Sequence, residues 1–482
     1  GLDGAPGHIR AYNVKTGKQE WIFHTIPQKG ELGYETWDEK YIDKIGGANN
    51  WSGLSLDEKR GIVYVPTGSA TYDFWGGYRL GDNVFANSLI ALNAATGERV
   101  WHYQIVHHDV WDRDIPSTPN LVTINKGGKK IDAVAQITKH GFVYVFDRET
   151  GVPVFPIEEK AIVQNDMFGD KTSATQPIPT LPEPIMRQHV GKNDILNITP
   201  ELAIEAQKMI KGVEYGDMWL APSEKRPFLL FPGFDGGGEW GGAAVDPESA
   251  IMYVNSSEMP WLIEMIPNEA TKLKKGEISG SSIYANNCAN CHGGDRKGNT
   301  SAFPSLLGLS EKYKATEVHK ILKGGKGGMP SFAHLPEEER EALVDFLLNK
   351  TPNGTKKELS GGKEKLVSPY LMNGYRRFLT KDGYPGINPP WGTLNALDLN
   401  TGKLLWKTVL GEFPELTAKG IPITGREGYG GPVVTKGGVV FIGATEDEMF
   451  RAFDKKTGKI LWQTKLPAGG HATPAVYEWK GK

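Results

Sequence analysis

The chain has 482 residues, too many for one small domain and enough to bury a large core. Its 55 basic and 57 acidic residues leave a formal charge of −2, which gives no reason to expect nucleic acid or an anionic membrane surface as partner. No apolar run approaches the ~20 residues that cross a bilayer.

A repeat opens the chain. Ala11-Tyr12-Asn13-Val14-Lys15-Thr16-Gly17-Lys18-Gln19-Glu20-Trp21 recurs as Ala91 to Trp101, and without its tryptophan as Val145-Phe146-Asp147-Arg148-Glu149-Thr150-Gly151. Asp or Asn followed by Thr-Gly closes a tight turn between two strands. The trailing Trp can then pack between neighbouring sheets. Short apolar strands such as Ile62-Val63-Tyr64-Val65 precede the copies.

Cys288-Ala289-Asn290-Cys291-His292 interrupts this pattern. The C-x-x-C-H form attaches a c-type haem: the thiols of Cys288 and Cys291 bond the porphyrin edge, and the His292 imidazole faces the iron. These are the only 2 cysteines, so none is left for a disulfide or a separate zinc site. Met329, in Gly327-Gly328-Met329-Pro330, is the expected second axial ligand, because a lone Met between Gly and Pro in a polar loop is poorly placed as core filler. Leu335-Pro336-Glu337-Glu338-Glu339 then starts a helix, with Pro in its first turn and acids at its positive end. Its apolar stripe is Ala342, Leu343, Phe346 and Leu347. This motif order resembles a class I cytochrome c from Gly276 to about Asn353.

Two further repeat copies follow, Ala396 to Trp406 and Ala452 to Trp462, the last after the strand Val439-Val440-Phe441-Ile442. Five copies of a strand-based repeat predict an all-β propeller. The expected division is 1–275 for its first part, 276–353 for an inserted all-α cytochrome domain, and 354–482 for its last part. The insert is expected in a loop between blades. Its lysine-rich edges (Lys272, Lys274, Lys275, Lys356, Lys357) suit exposed linkers. Haem is normally attached to C-x-x-C-H outside the cytoplasm, and the chain starts at Gly1 rather than Met. A periplasmic or otherwise exported protein, its leader removed or missing, is therefore expected.

The tryptophan-docking repeat resembles that of PQQ-dependent dehydrogenases, which are eight-bladed propellers. About six blades would fit the propeller part of this chain, so the first blades and last strands are expected to be missing. Within that family the chain is most similar to the quinoprotein glucose dehydrogenase branch. The similar stretches are Val106-His107-His108-Asp109-Val110-Trp111-Asp112-Arg113-Asp114, Phe231-Pro232-Gly233, Glu239-Trp240-Gly241-Gly242, Pro390-Trp391-Gly392 and Leu466-Pro467-Ala468-Gly469-Gly470. The adjacent cysteines of methanol dehydrogenase-like relatives are absent.

The resemblance implies a site, residue by residue. Asp112 is the expected general base, with Asp109 and Asp114 as rivals and His107 and His108 as structural hydrogen-bonders. Lys139 is expected to reach the reactive quinone oxygen and stabilise charge that develops there. Trp51 would stack on the PQQ ring, Asn255 would hydrogen-bond it, and Tyr429 would cover its opposite face. A Ca²⁺ or Mg²⁺ ion would polarise PQQ, with Asp112 and Thr71 as contributors and its main ligands upstream of Gly1. The implied activity is oxidation of an aldose such as glucose at C1 to the lactone. Electrons would pass through the inserted haem to an external acceptor, a cytochrome or a membrane quinone. Two readings stay open beside it: an alcohol or polyol dehydrogenase, and a non-catalytic propeller binding protein carrying an electron-transfer cytochrome.

Overall fold

The computed structural model describes residues 4–268, 271, 277–298, 303–350, 357–358, 366–477 and 479. These fall into two compact units. The larger takes Ala5–Ala221, Leu229–Trp261 and Arg377–Lys482; the smaller includes Pro222–Phe228 and Leu262–Arg376.

In the larger unit, short apolar strands pair antiparallel into the blades of a β-propeller. Three sheets have four strands each: 55–57, 62–66, 88–93 and 99–104; 243–246, 251–257, 392–398 and 403–409; 433–434, 439–442, 449–454 and 460–465. A three-stranded sheet takes 120–126, 129–137 and 143–147, and a pair takes 9–12 and 19–23. Each of these five sheets carries one repeat copy. The figure of about six blades rests on chain length; the motif itself marks five sheets.

The repeat's chemistry explains its form. Asn13 Oδ1 accepts the N–H groups of Lys15 and Thr16, both at 3.1 Å, and Asp454 Oδ1 does the same for Lys456 and Thr457 at 3.0 and 2.9 Å. The Gly of each turn has positive φ (+68° at Gly17, +67° at Gly458), which only glycine adopts without strain. Three of the four repeat tryptophans then dock on the next copy's turn. Trp21 Nε1 donates to the Ala94 carbonyl (3.1 Å), Trp101 to Arg148 (2.9 Å) and Trp406 to Lys455 (3.1 Å). The rings lie over Gly97, Gly151 and Gly458, where a Cβ would come within 2.5, 2.5 and 2.6 Å of them. The copy that lacks Trp is compensated: Leu181 and Phe155 cover Gly402 instead.

Between sheets the core is mostly aliphatic, with a few aromatic rings. Val122, Ile137 and Val145 meet Met252, Val254 and Leu397; Tyr253 and Leu394 meet Val440, Ile442 and Phe453. Each fully buried aliphatic side chain contributes about 1.5–3 kcal/mol.

The insertion does not leave from a loop between blades. Strand 251–257 pairs directly with 392–398, from Ile251↔Asp398 to Ser257↔Gly392. The chain therefore departs between the second and third strands of one blade. The repeat marks only the turn between third and fourth strands, so it carried no information on this connection.

The smaller unit holds helices at 280–287, 289–292, 309–312, 315–324 and 337–347. Ile283, Tyr284, Cys288, Val318, Leu322, Leu335, Leu343 and Leu347 form its core. Helices 280–287 and 337–347 pack closely; a Cβ at Gly280 would run into the Ala342 carbonyl. Strand 265–267 pairs with 370–372, and Asn268 Nδ2 donates to Ser368 O at 2.8 Å. Lys272, Lys274, Lys275 and Lys356, the side chain of Lys357, and the boundaries at 275–276 and 353–354 lie outside the described residues.

Candidate active site

The segment 106–114 is a rigid turn. Val110 and Trp111 are fully buried anchors. Asp109 Oδ1 accepts the Trp111 N–H (2.8 Å), while Oδ2 accepts from Arg113 N (2.6 Å), Asn87 Nδ2 (2.9 Å) and the Ser69 hydroxyl. That carboxylate is consumed in holding the turn, so Asp109 is not free to act as a base. Arg113, a buried guanidinium that burial pushes down to about 10, donates to the carbonyls of Pro232 (2.5 Å) and Met218 (3.2 Å). His107 and His108 are hydrogen-bonders: His107 Nδ1 meets Gln104 Oε1 at 2.8 Å, and His108 lies between Gly81 O (2.7 Å) and Asp170 Oδ1 (2.9 Å).

Asp112 has φ +57°, a conformation that costs a non-glycine residue about 1 kcal/mol or more and that collects at functional sites. Its carboxylate lies 3.2 Å from Lys139 Nζ, which also sits 2.9 Å from Asp114 Oδ2 and donates to the Asp112 carbonyl at 3.1 Å. Asp114 in turn accepts the Ser69 N–H at 2.6 Å. One lysine is thus held between two aspartates. Burial pushes the Asp112 carboxyl well up; Lys139 opposes this and Asp114 adds to it. Asp112 keeps 24% side-chain exposure, so water moderates that rise. For Asp114, burial is outweighed by Lys139 and the Ser69 N–H, and the carboxyl stays low. For Lys139, burial is outweighed by Asp112 and Asp114, and the ammonium is held charged.

Lys139 follows strand 129–137 in a turn closed by Gly141 at φ +80°. Its carbonyl accepts the Gly237 N–H at 2.6 Å. Its Nζ lies 5.9 Å from the centre of the Trp51 ring, which is 44% exposed. Asn255 is buried and donates to the Gly428 carbonyl at 3.3 Å. The Tyr429 hydroxyl meets Glu427 and, at 2.9 Å, Arg377 Nη2. So Asp112, Lys139 and Trp51 come together, and Asn255 reaches the 427–429 segment that carries Tyr429. The Thr71 hydroxyl accepts the Gly46 N–H at 3.0 Å and has no hydrogen bond to Asp112. Among the described residues, no group of three or more His, Cys, Asp or Glu side chains could hold a metal ion.

Cys288 and Cys291 are free thiols in the turn that ends at His292, and burial pushes the Cys288 thiol up to about 12. His292 Nδ1 lies 2.9 Å from the Pro304 carbonyl. That geometry assigns the proton to Nδ1 and leaves Nε2 for a metal, the usual way a ligating imidazole is oriented. Met329 sits in a tight turn, its N–H and C=O bonded to Lys326 at 3.0 and 3.1 Å, and packs on the same apolar cluster as Cys288.

Residues 1–310 and 319–482 match the family described as "PQQ: Glucose/ethanol/alcohol dehydrogenase, beta-propeller domain". The chain belongs to this family of quinoprotein dehydrogenases. Within the quinoprotein, residues 278–347 match a second description, "Cytochrome C oxidase, cbb3-type, subunit III". Quinoprotein glucose dehydrogenase A of Acinetobacter calcoaceticus is 31% identical over 494 residues, covering 99% of this chain and 50% of that protein. The quinate/shikimate dehydrogenase (quinone) of Acinetobacter baylyi is 32% identical over 478 residues, covering 98% and 49%. The crystal structure of the quinohemoprotein alcohol dehydrogenase from Comamonas testosteroni shares the fold, with TM-score 0.55, 18% identity and coverage of 100% and 52%. The chain thus spans about half the length of the relatives it matches.

PQQ with its cation and haem c are the cofactors these memberships bring. The residues fit them. A charged lysine beside a half-exposed tryptophan face suits an anionic planar quinone, and Glu239 Oε1 is buried without a hydrogen-bond partner among the described residues. Paired thiols beside an oriented imidazole suit covalent haem.

Sequence reasoning missed Ser69, Asp235, Arg377 and Glu427. Arg377 Nη2 pairs with Glu427 (2.7 Å) and Asp235 (3.2 Å), partners 50 and 142 residues away. Only the repeated glycines around Asp235 and Tyr429 hinted at close backbone approach there.

Proposed function

We propose that this chain carries the quinone and haem sites of an exported dehydrogenase that oxidises an aldose such as glucose at C1 to the lactone. The observation that supports it most is Asp112 beside Lys139. Oxidising a CH–OH group takes a proton from oxygen and a hydride from carbon. Asp112, at positive φ and with 24% of its side chain exposed, accepts the hydroxyl proton. A carboxyl that titrates above the ordinary range is a better base for that task than an exposed one. Lys139 holds its positive charge for the oxygen that gains negative charge. Asp114 keeps Lys139 charged and fixed in direction. Trp51 offers a flat face for stacking. When bound, PQQ supplies the hydride acceptor and haem c the one-electron carrier.

His292 and Met329 are the axial ligands in this reading, and Cys288 and Cys291 the covalent anchors. The electrons leave to an external cytochrome or membrane quinone. Export follows from C-x-x-C-H attachment outside the cytoplasm; no helix among the described residues is long and apolar enough to cross a membrane. A binding protein without catalysis would have no use for a lysine clamped between two aspartates at a strained turn.

The test is reconstitution with PQQ and Ca²⁺, then haem reduction followed in the visible spectrum with sugars, simple alcohols and polyols. Aldoses should reduce the haem and omission of PQQ should abolish this. Absence of reduction by every CH–OH donor would remove the proposal.

A further inference from the structure

We infer that Asp235, Glu239, Glu427 and Tyr429, grouped around Arg377, form a recognition subsite for a neutral polyhydroxyl substrate and exclude substrates that bear a carboxylate. The inference rests on the quinone-site reading above and narrows its substrate class.

The group lies against the residues assigned to the quinone. Gly237 and Gly238, between Asp235 and Glu239, donate to the carbonyls of Lys139 (2.6 Å) and Thr138 (3.3 Å). Gly236 has φ +102°, and a Cβ there would sit 2.8 Å from Lys139 Cγ. Gly428, between Glu427 and Tyr429, accepts the Asn255 amide at 3.3 Å.

One member points to a ligand. Glu239 is only 4% exposed, yet its Oε1 has no hydrogen-bond partner among the described residues. Lys139, Asp235 and Glu427 all act on its charge. A buried polar atom left unmade costs about 1–3 kcal/mol, which a ligand hydroxyl would recover. Burial, then Asp235, push the Glu239 carboxyl well up, and the same two causes bring Glu427 up to about 8. Glu427 therefore keeps its proton near neutrality and can donate as well as accept. The side chains of Arg377 (31% exposed) and Asp235 (17%) keep the group open to solvent, and Trp240 at its rim is 44% exposed.

The charges decide the class. Asp112, Asp114 and Asp235, with Asp73 also acting on Asp112, outnumber the cations Lys139 and Arg377. Lys139 already bridges Asp112 and Asp114, and Arg377 already bridges Asp235 and Glu427. An incoming carboxylate would find no unengaged cation and would be desolvated beside like charge. A sugar hydroxyl would find donors and acceptors together.

The test uses the chain reconstituted with PQQ and Ca²⁺ and compares kcat/KM for D-glucose and quinate. Binding of each to the PQQ-free chain is measured by calorimetry. The wild type should favour glucose by tenfold or more and bind no quinate. Asp235→Asn removes one of the two carboxyl partners of Arg377 and should raise the quinate-to-glucose ratio about tenfold, with quinate binding now measurable, the size expected for letting one cation pair a carboxylate. Glu427→Gln is a second, milder release, and the haem spectrum with a circular dichroism melt checks that each variant folds. Equal use of quinate and glucose by the wild type, or an unchanged ratio in folded variants, overturns the inference and leaves the quinone reading standing. Should neither compound be oxidised, the quinone reading falls, and the calorimetric preference alone decides the subsite.

Discussion

At the scale of single residues, the site is a problem of three charges. Lys139 stabilises both aspartates, but the two carboxyl groups respond in opposite directions: Asp114 goes down and Asp112 up. Burial acts upward on both; for Asp114 it is outweighed by Lys139 and by the Ser69 N–H, which is given to Asp114 alone, while for Asp112 it prevails over Lys139, helped by Asp114, Asp73 and Asp109. Asp112→Asn should lower kcat by ~10²-fold or more with PQQ still bound, since it removes the general base. Normal turnover of that variant would place the base elsewhere. The sign of the pH dependence follows. Asp112 works only when deprotonated, so activity should be lost as pH falls through its titration, at a pH above the usual carboxylate range. A kcat profile flat down to pH ~4, the reference value for a free aspartate, would contradict this. Lys139→Ala should cost ~10²–10³-fold, as for one lost donor at a developing oxyanion.

At the scale of elements, the tryptophan of one blade is fixed by the glycine turn of the next. Trp406→Ala removes the hydrogen bond to Lys455 and the ring over Gly458. Its cost should be about 2–3 kcal/mol, below the 3–5 of a fully buried Trp because Trp406 is only half-buried. Trp462→Ala, with a ring already 51% exposed, should change stability far less in this chain. Equal losses in thermal melts of the two variants would refute the docking account. This also shows what was legible in the sequence. The Asp/Asn-Thr-Gly turns and the Trp positions were readable because a turn is a local event with fixed chemistry. Asp112 and Lys139 were readable because motifs carry them. Their ion pairing was not, nor the choice against Asp109, which depends on Ser69 and Asn87 in a neighbouring strand connection. The place where the cytochrome leaves its blade is not legible in the sequence, since pairing of 251–257 with 392–398 leaves no mark on either segment alone.

At the scale of the whole molecule, the proposed function joins a two-electron oxidation to a one-electron carrier, and the residues proposed for the two tasks fall in separate units. The haem ligands should therefore be alterable without touching the quinone chemistry. Met329→Ala should abolish any sulfur-to-iron absorption and lower the haem potential, since Met ligation raises it; an unchanged spectrum and potential would sink the ligand assignment. The converse change removes the carrier. The blade that hosts the insert is tied by seven paired positions, Ile251↔Asp398 through Ser257↔Gly392, and the arms 265–267 and 370–372 pair with each other. Excising residues 276–353 and joining the ends by a short flexible linker should leave that ladder intact, because a connection between paired strands tolerates large changes in length: each doubling costs only ~0.6 kcal/mol. The shortened chain, loaded with PQQ and Ca²⁺, should still reduce a small dye with substrate, while transfer to a protein acceptor should fail. If dye reduction disappears along with acceptor transfer in a chain that melts at the wild-type temperature, the quinone site depends on the insert and the separation argued here is wrong.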